Sequence, residues 1–267
     1  MESELPLDTV ILQSNVYIDI LNLHEIPATS NVQTEDPTNP DNAFSLILNC
    51  SSDVKRLELR VRTSEGLDGQ INVLMVPQSD DSNIAKCLTV PIKPLNLHEK
   101  VEQLPSQTKD IGMSSITMSG NFSESELHGW MEKAIPEVPP VVGDSALLFF
   151  KSTFIGSYLS CKLEPGSITI ASNNLSALTI LKDTITQEAS LKKVQLDIKS
   201  NIRDVSVEEN LKLLHPRLDK QYSLAKHVQM IDALKEITSE EEDTSFLSED
   251  LQEILKNGDK IRENFKR

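Results

Sequence analysis

Glycine is scarce in this chain, with 9 among 267 residues, about half the usual ~7%. No G-x-G-x-x-G or G-x-x-x-x-G-K-S/T string occurs, so a backbone cradle for nucleotide phosphates has no basis. Aromatic residues make up only 4%, enough for several small cores but not one large one. Cysteine is limited to Cys50, Cys87 and Cys161. An odd, dispersed set excludes a disulfide framework and reads as packed thiols in a reducing compartment. His24, His98, His128, His215 and His227 stand alone, without C-x-x-C or H-E-x-x-H, so no zinc site is expected. Cations are outnumbered, 26 Lys and Arg against 41 Asp and Glu, for a net charge of −15. Such a surface repels phosphodiester backbones and anionic headgroups, and no nucleic-acid partner is expected.

No apolar run approaches the ~18 residues of a membrane span. MESELPLDTV (1–10) lacks a basic region followed by an apolar core, so it does not read as a signal peptide. A cytoplasmic location follows as the expectation, with the N-x-S strings at Asn49, Asn121 and Asn174 as chance matches. Carboxylates abound, but EEED (240–243) reads as a solvated segment. No catalytic constellation emerges, so the chain reads as non-enzymatic and free of cofactors. The catalytic alternative is a Cys–His pair remote in sequence, with Cys87 or Cys161 as nucleophile.

The remaining pattern is one of short strands, then mixed elements, then helices. Leu57, Leu59 and Val61 alternate with charged residues, and Ile71, Val73 and Met75 repeat the alternation after SEGLDG (64–69); together they predict a hairpin. VILQSNVYIDIL (10–21), AFSLILNC (43–50) and IAKCLTVPI (84–92) are strand-like, and the polar stretch 28–42 reads as a loop. These predict an immunoglobulin-like β-sandwich over 1–105, with its boundary in the polar linker 102–112.

Beyond it, an α+β unit is predicted over 112–202 in the order β-α-β-β-β-α-β. Its first helix opens on a capping box, Ser123 with Glu126, and a hydrophobic staple, Phe122 with Leu127, and stops before Pro136. Its second helix carries Leu175, Leu178, Leu181 and Ile185 on one face. An α-helical hairpin is predicted over 204–267. Ser206 and Glu209 predict another capping box, Pro216 a break, and Ser248 the cap of a last helix. That helix carries Leu251, Ile254, Leu255, Ile261 and Phe265.

A sandwich followed by an α/β unit with a Trp-bearing helix resembles the ear, or appendage, of clathrin and coatomer adaptors. More specific strings are RLELRVRTSEG (56–66), PIKPLNLHEK (91–100), MSGNFSESELHGWMEKAIPEVP (118–139), NLSALTILKDTITQEASLKK (174–193) and LKLLHPRLDKQYSLAKHVQMIDALKEI (211–237). In order and spacing they resemble the C-terminal half of the Bardet–Biedl syndrome protein seven family. The resemblance implies a non-catalytic subunit of the BBSome, the coat that moves membrane proteins into and out of cilia. It implies other BBSome subunits as partners, above all the second and ninth Bardet–Biedl proteins. It further implies chaperonin-like assembly factors, ciliary membrane-protein cargo, and a location at the cilium, basal body and ciliary membrane periphery.

Two readings attach to Trp130, the only tryptophan. It packs its helix onto the sheet, or it anchors peptides in a groove as the matching tryptophan of adaptor platforms does. The stripe Leu251, Ile254, Leu255 and Ile261 is the second candidate protein-binding surface.

Overall fold

The computed structural model describes residues 3–34, 43–51, 53–78, 85–105, 112–140, 146–238 and 247–266. The chain forms two compact units, Met1–Val207 and Glu208–Arg267.

The first unit begins with a β-sandwich. Strands β1 (Leu7–Ser14), β3 (Ala28–Thr34), β4 (Phe44–Cys50), β6 (Gly69–Pro77) and β7 (Lys86–Ile92) form an antiparallel sheet in the order β3-β4-β1-β6-β7. Because side chains alternate across a strand, the register aligns the apolar residues of one face. Val10 lies opposite Leu48 and Met75, and Leu12 opposite Leu46 and Val73. Facing them is a much smaller layer, β2 (Asp19–Ile20) paired with β5 (Val61–Arg62). Its Ile18 and Leu57 are buried, and Ile20, Leu59 and Val61 pack on the same core.

The predicted hairpin between 56–62 and 71–75 does not form. Both sides of β6 are taken, by β1 and β7. Residues 58–60 instead meet the Asn22 side chain, whose Nδ2 donates to the Glu58 carbonyl (2.9 Å) and whose Oδ1 accepts from the Arg60 N–H (2.8 Å). The apolar alternation was real but did not name the partner. Residues 28–34, predicted as loop, pair with β4; as an edge strand they need no apolar alternation. Residues 35–42 lie outside the described set.

The platform follows. Its antiparallel sheet runs β13-β9-β12-β11-β10-β8, from β8 (His98–Val101), β9 (Ser114–Gly120), β10 (Ala146–Ser152), β11 (Tyr158–Glu164), β12 (Ser167–Ser172) and β13 (Leu196–Asn201), with α1 (Glu124–Ala134) after β9 and α2 (Leu175–Leu191) after β12. β8, inside the range 1–105 read as sandwich, pairs with β10, His98 opposite Ser152. Both helices bury one face in a single core with the sheet, including Leu127, Trp130, Met131, Leu178, Leu181 and Ile185.

The capping box at α1 is formed. The Glu126 N–H donates to Ser123 Oγ (3.3 Å) and the Ser123 N–H to Glu126 Oε2 (3.0 Å). At the other end of α1, Lys93 Nζ donates to the Ile135 carbonyl (3.1 Å) and the Leu95 N–H to the Ala134 carbonyl (2.9 Å), satisfying acceptors a helix end leaves orphaned. Asn174 caps α2 by accepting from the Ser176 N–H (3.0 Å). Gly166, at φ +67°, turns β11 into β12 where a Cβ would sit 2.9 Å from the Gly120 carbonyl oxygen, so only glycine fits.

The helical hairpin starts with α3 (Asp204–Thr238), 35 residues that continue through Pro216. The predicted break does not occur. Proline costs one donor, and Lys212 and Pro216 are exposed, so water can serve the carbonyl left unpaired. Nor does Ser206 form a capping box: it lies inside the first turn, its Oγ donating to the Arg203 carbonyl (2.8 Å). The predicted last helix is two, α4 (Glu249–Lys256) and α5 (Gly258–Lys266), and Ser248 sits at the N-cap without a side-chain cap bond. α5 runs antiparallel to α3. Gln221 Nε2 donates to the Phe265 carbonyl (3.1 Å), Asp232 pairs with Arg262, and Lys235 Nζ lies 3.4 Å from Asp259.

Candidate protein-binding surfaces

Trp130 faces the sheet and is 2% exposed. Its ring centroid lies 5.3 Å from that of Phe122, tilted by 60°, within the range of a favourable aromatic pair. Lys192, just past α2, sets its ammonium 5.8 Å from the indole centroid and 3.3 Å from Glu126 Oε1. Lys133 on α1 reaches Glu188 on α2 at 2.6 Å. The ring is thus enclosed by its own domain, and its Nε1 has no hydrogen-bond partner among the described residues. It offers no open aromatic face to a peptide in this conformation.

Leu251, Ile254, Leu255 and Ile261 are all half-buried. α4 contains no fully buried residue, whereas Ile231 and Leu234 of α3 are buried. On α3, Leu211, Leu218 and Tyr222 are well exposed. At helical spacing they share one face. Trp130 lies in the platform core, and the stripe belongs to the separate hairpin unit.

Cys161 is fully buried in the platform core, where desolvation pushes its thiol well above the ordinary range. That environment disfavours the thiolate, the nucleophilic form. Cys87 is exposed on β7. Among the described residues, no group of three His, Cys, Asp or Glu is arranged to hold a metal ion. His98 is 2% exposed, and its ring nitrogens make no hydrogen bond of ordinary geometry. Burial pulls its pKa down to about 4, opposed by the nearby Leu95 carbonyl. Among the described residues, no helix is long and apolar enough to cross a membrane.

Sequence reasoning missed an open apolar groove of about 370 Å³ in the sandwich, between β7 and residues 58–63. The signal that pointed to it is the alternation Leu88, Val90, Ile92 in a strand whose inner face has little to cover it.

A sandwich, a helix-covered antiparallel platform and a helical hairpin, in that order, make up an adaptin-ear-like architecture. Family models match nearly all of it: the BBS7 GAE domain over residues 1–85, the BBS7 platform domain over 98–201 and the BBS7 hairpin over 204–267. The platform match begins at His98, the first residue of β8. The chain belongs to the BBS7 family. It is 35% identical over 269 residues to the mouse (Mus musculus) protein described as "BBSome complex member BBS7", covering all of this chain and 37% of that protein. It is 27% identical over 272 residues to the Caenorhabditis elegans "BBSome complex member bbs-7", covering 98% of this chain and 36% of that one. The chain thus spans little more than a third of the length of these relatives.

Proposed function

We propose that this chain is a non-catalytic interaction module of a BBSome-type coat, contributing protein–protein contacts to the movement of membrane proteins into and out of cilia. The observation that carries this reading is the alignment of the whole chain, through all three domains in order, with a relative described as a BBSome complex member. Its partners are then other BBSome subunits, the second and ninth Bardet–Biedl proteins first, with chaperonin-like factors in assembly. It works in the cytoplasm, at the basal body and at the ciliary membrane periphery.

Affinity capture from ciliated-cell lysate with the tagged chain, read by mass spectrometry, tests this. Recovery of several BBSome subunits is expected. Recovery of none would overturn the assignment of that role to this part of the protein.

A second reading is an ear-type module that binds short peptides of cargo or accessory proteins. Enclosure of Trp130 turns that reading away from the platform and towards the groove of the sandwich.

A further inference from the structure

We propose that β13 is a self-association edge: it pairs antiparallel with β13 of a second copy of this chain, about a two-fold axis at Ile198, and joins two platform sheets edge to edge.

β13 is the last strand of the platform sheet and pairs only with β9. Every second residue of such a strand turns its main-chain N–H and C=O to a side where no strand meets them, a template for another strand. Asp197, Ile198, Lys199, Ser200 and Asn201 are all exposed.

The apolar layer of the platform is left open at the same place. Leu196, Ile198 and Ser200 lie opposite Gly120, Met118 and Ile116, so they point to the helix-covered side of the sheet. Met118 is fully buried, whereas Ile198, one strand further out, is 40% exposed. In a pairing centred on Ile198 this residue meets its own copy, and each isoleucine covers the other.

Charge selects the occupant and the register. Asp197 and Lys199 lie on the other face of the sheet, where they pair with each other at 3.4 Å, both well exposed. A pair so exposed contributes little, so exchanging it for a pair across an interface costs little. In the antiparallel pairing centred on Ile198, each Asp197 falls opposite the other copy's Lys199, which gives two cross-strand pairs of opposite sign. Leu196 then falls opposite Ser200, and Gln195 opposite Asn201. Charges on an end strand ordinarily guard it, and a parallel in-register pairing would set Asp197 against Asp197. Acid and base placed symmetrically about an apolar residue repel in that register and attract in the antiparallel one. The contact is isologous and closed: the edge used by one copy is the edge used by the other, and no third copy can add to it.

The 267-residue chain is examined by sedimentation equilibrium up to about 1 mM. Salt of ~0.15 M screens the repulsion between two chains of net charge −15 beyond ~8 Å. A concentration-dependent dimer is expected. Asp197→Lys sets lysine against lysine at both pairs, and Lys199→Asp sets aspartate against aspartate. Each should weaken the dimer by about tenfold or more, and the double variant, which restores opposite signs, should recover most of the loss. These side chains are exposed, and circular dichroism checks that each variant is folded. A second readout fixes the register. Directly opposed Cα atoms in an antiparallel pair lie ~4.5–5.5 Å apart, within disulfide reach. In a Cys87→Ser chain treated with an oxidant, Ile198→Cys should therefore give a covalent dimer, and Ser200→Cys, which meets Leu196, should not. A chain that stays monomeric, a dimer indifferent to both single reversals, no recovery in the double variant, or no cross-link through Ile198→Cys would overturn the proposal. The inference does not rest on the coat reading: a monomeric chain that still captures BBSome subunits would remove the edge contact and leave that reading standing.

Discussion

The ammonium group of Lys192 lies 5.8 Å from the centroid of the Trp130 ring, closing over the indole from the residue that follows α2. The same lysine reaches Glu126, the acidic member of the α1 capping box. Two contacts of Lys192, to Trp130 and to Glu126, therefore tie the end of α2 to α1 around one aromatic side chain, which joins two helices to a sheet.

Trp130→Ala should destabilise the chain by roughly 3–5 kcal/mol, the range for removing a large buried aromatic. Trp130→Phe, which keeps a ring beside Phe122, should cost less. Urea unfolding followed by circular dichroism measures both. An alanine variant as stable as the parent would contradict the core role.

The capping box makes the platform sensitive to strong acid. Hydrogen bonds from the Ser123 backbone N–H, then from its hydroxyl, then from Lys192, hold the Glu126 carboxyl below the usual range. A depressed carboxyl contributes stability that is present above its unfolded value, ~4.3, and is lost as pH falls through the folded value. Ser123→Ala should cost about 1 kcal/mol at neutral pH and reduce that acid-dependent loss. Denaturation midpoints at neutral and strongly acidic pH give the comparison.

His98 acts at milder pH. Its folded pKa is about 4 against an ordinary 6.5, so the unfolded chain takes up a proton between those values and the folded chain does not. Stability should fall as pH drops from 6.5 towards 4, by up to about 3 kcal/mol from this group. His98→Leu removes two buried nitrogens without partners and should flatten the decline over that window. An unchanged pH profile in the variant would show that the histidine is not held neutral.

Within the hairpin, Gly258 sits where a Cβ would come 3.1 Å from Ile231 Cγ2. Gly258→Val should destabilise the hairpin by roughly 1–3 kcal/mol through overpacking, and Ile231→Ala, which removes the Cγ2 methyl it would meet, should cost less in that background than in the parent. Additive effects in the double-mutant cycle would show that the two residues do not touch.

Much of this architecture was legible in the sequence because its signals are local. The Ser123–Glu126 box, the staple of Phe122 and Leu127, and the apolar face of Leu178, Leu181 and Ile185 each define an element from a few neighbouring residues. The misreadings concern long-range choices. Leu57, Leu59 and Val61 alternate correctly, but the alternation does not reveal that Asn22 satisfies that segment's backbone while β6 pairs elsewhere. Pro216 forecasts a break that a long exposed helix absorbs, and the carbonyls at the end of α1 accept from Lys93 and Leu95, residues about 40 positions away. The candidate site was least legible. Trp130 carries the same letter whether it packs or binds, and the groove beside β7 exists only because the opposite layer is short.

The most direct measurement of the central claim is the sedimentation of the tagged chain expressed in ciliated cells. If this is an interaction module of the coat, a substantial fraction sediments with the other BBSome subunits, far ahead of a 29.8 kDa monomer. If the folded chain sediments entirely on its own, it does not carry the contacts assigned to it.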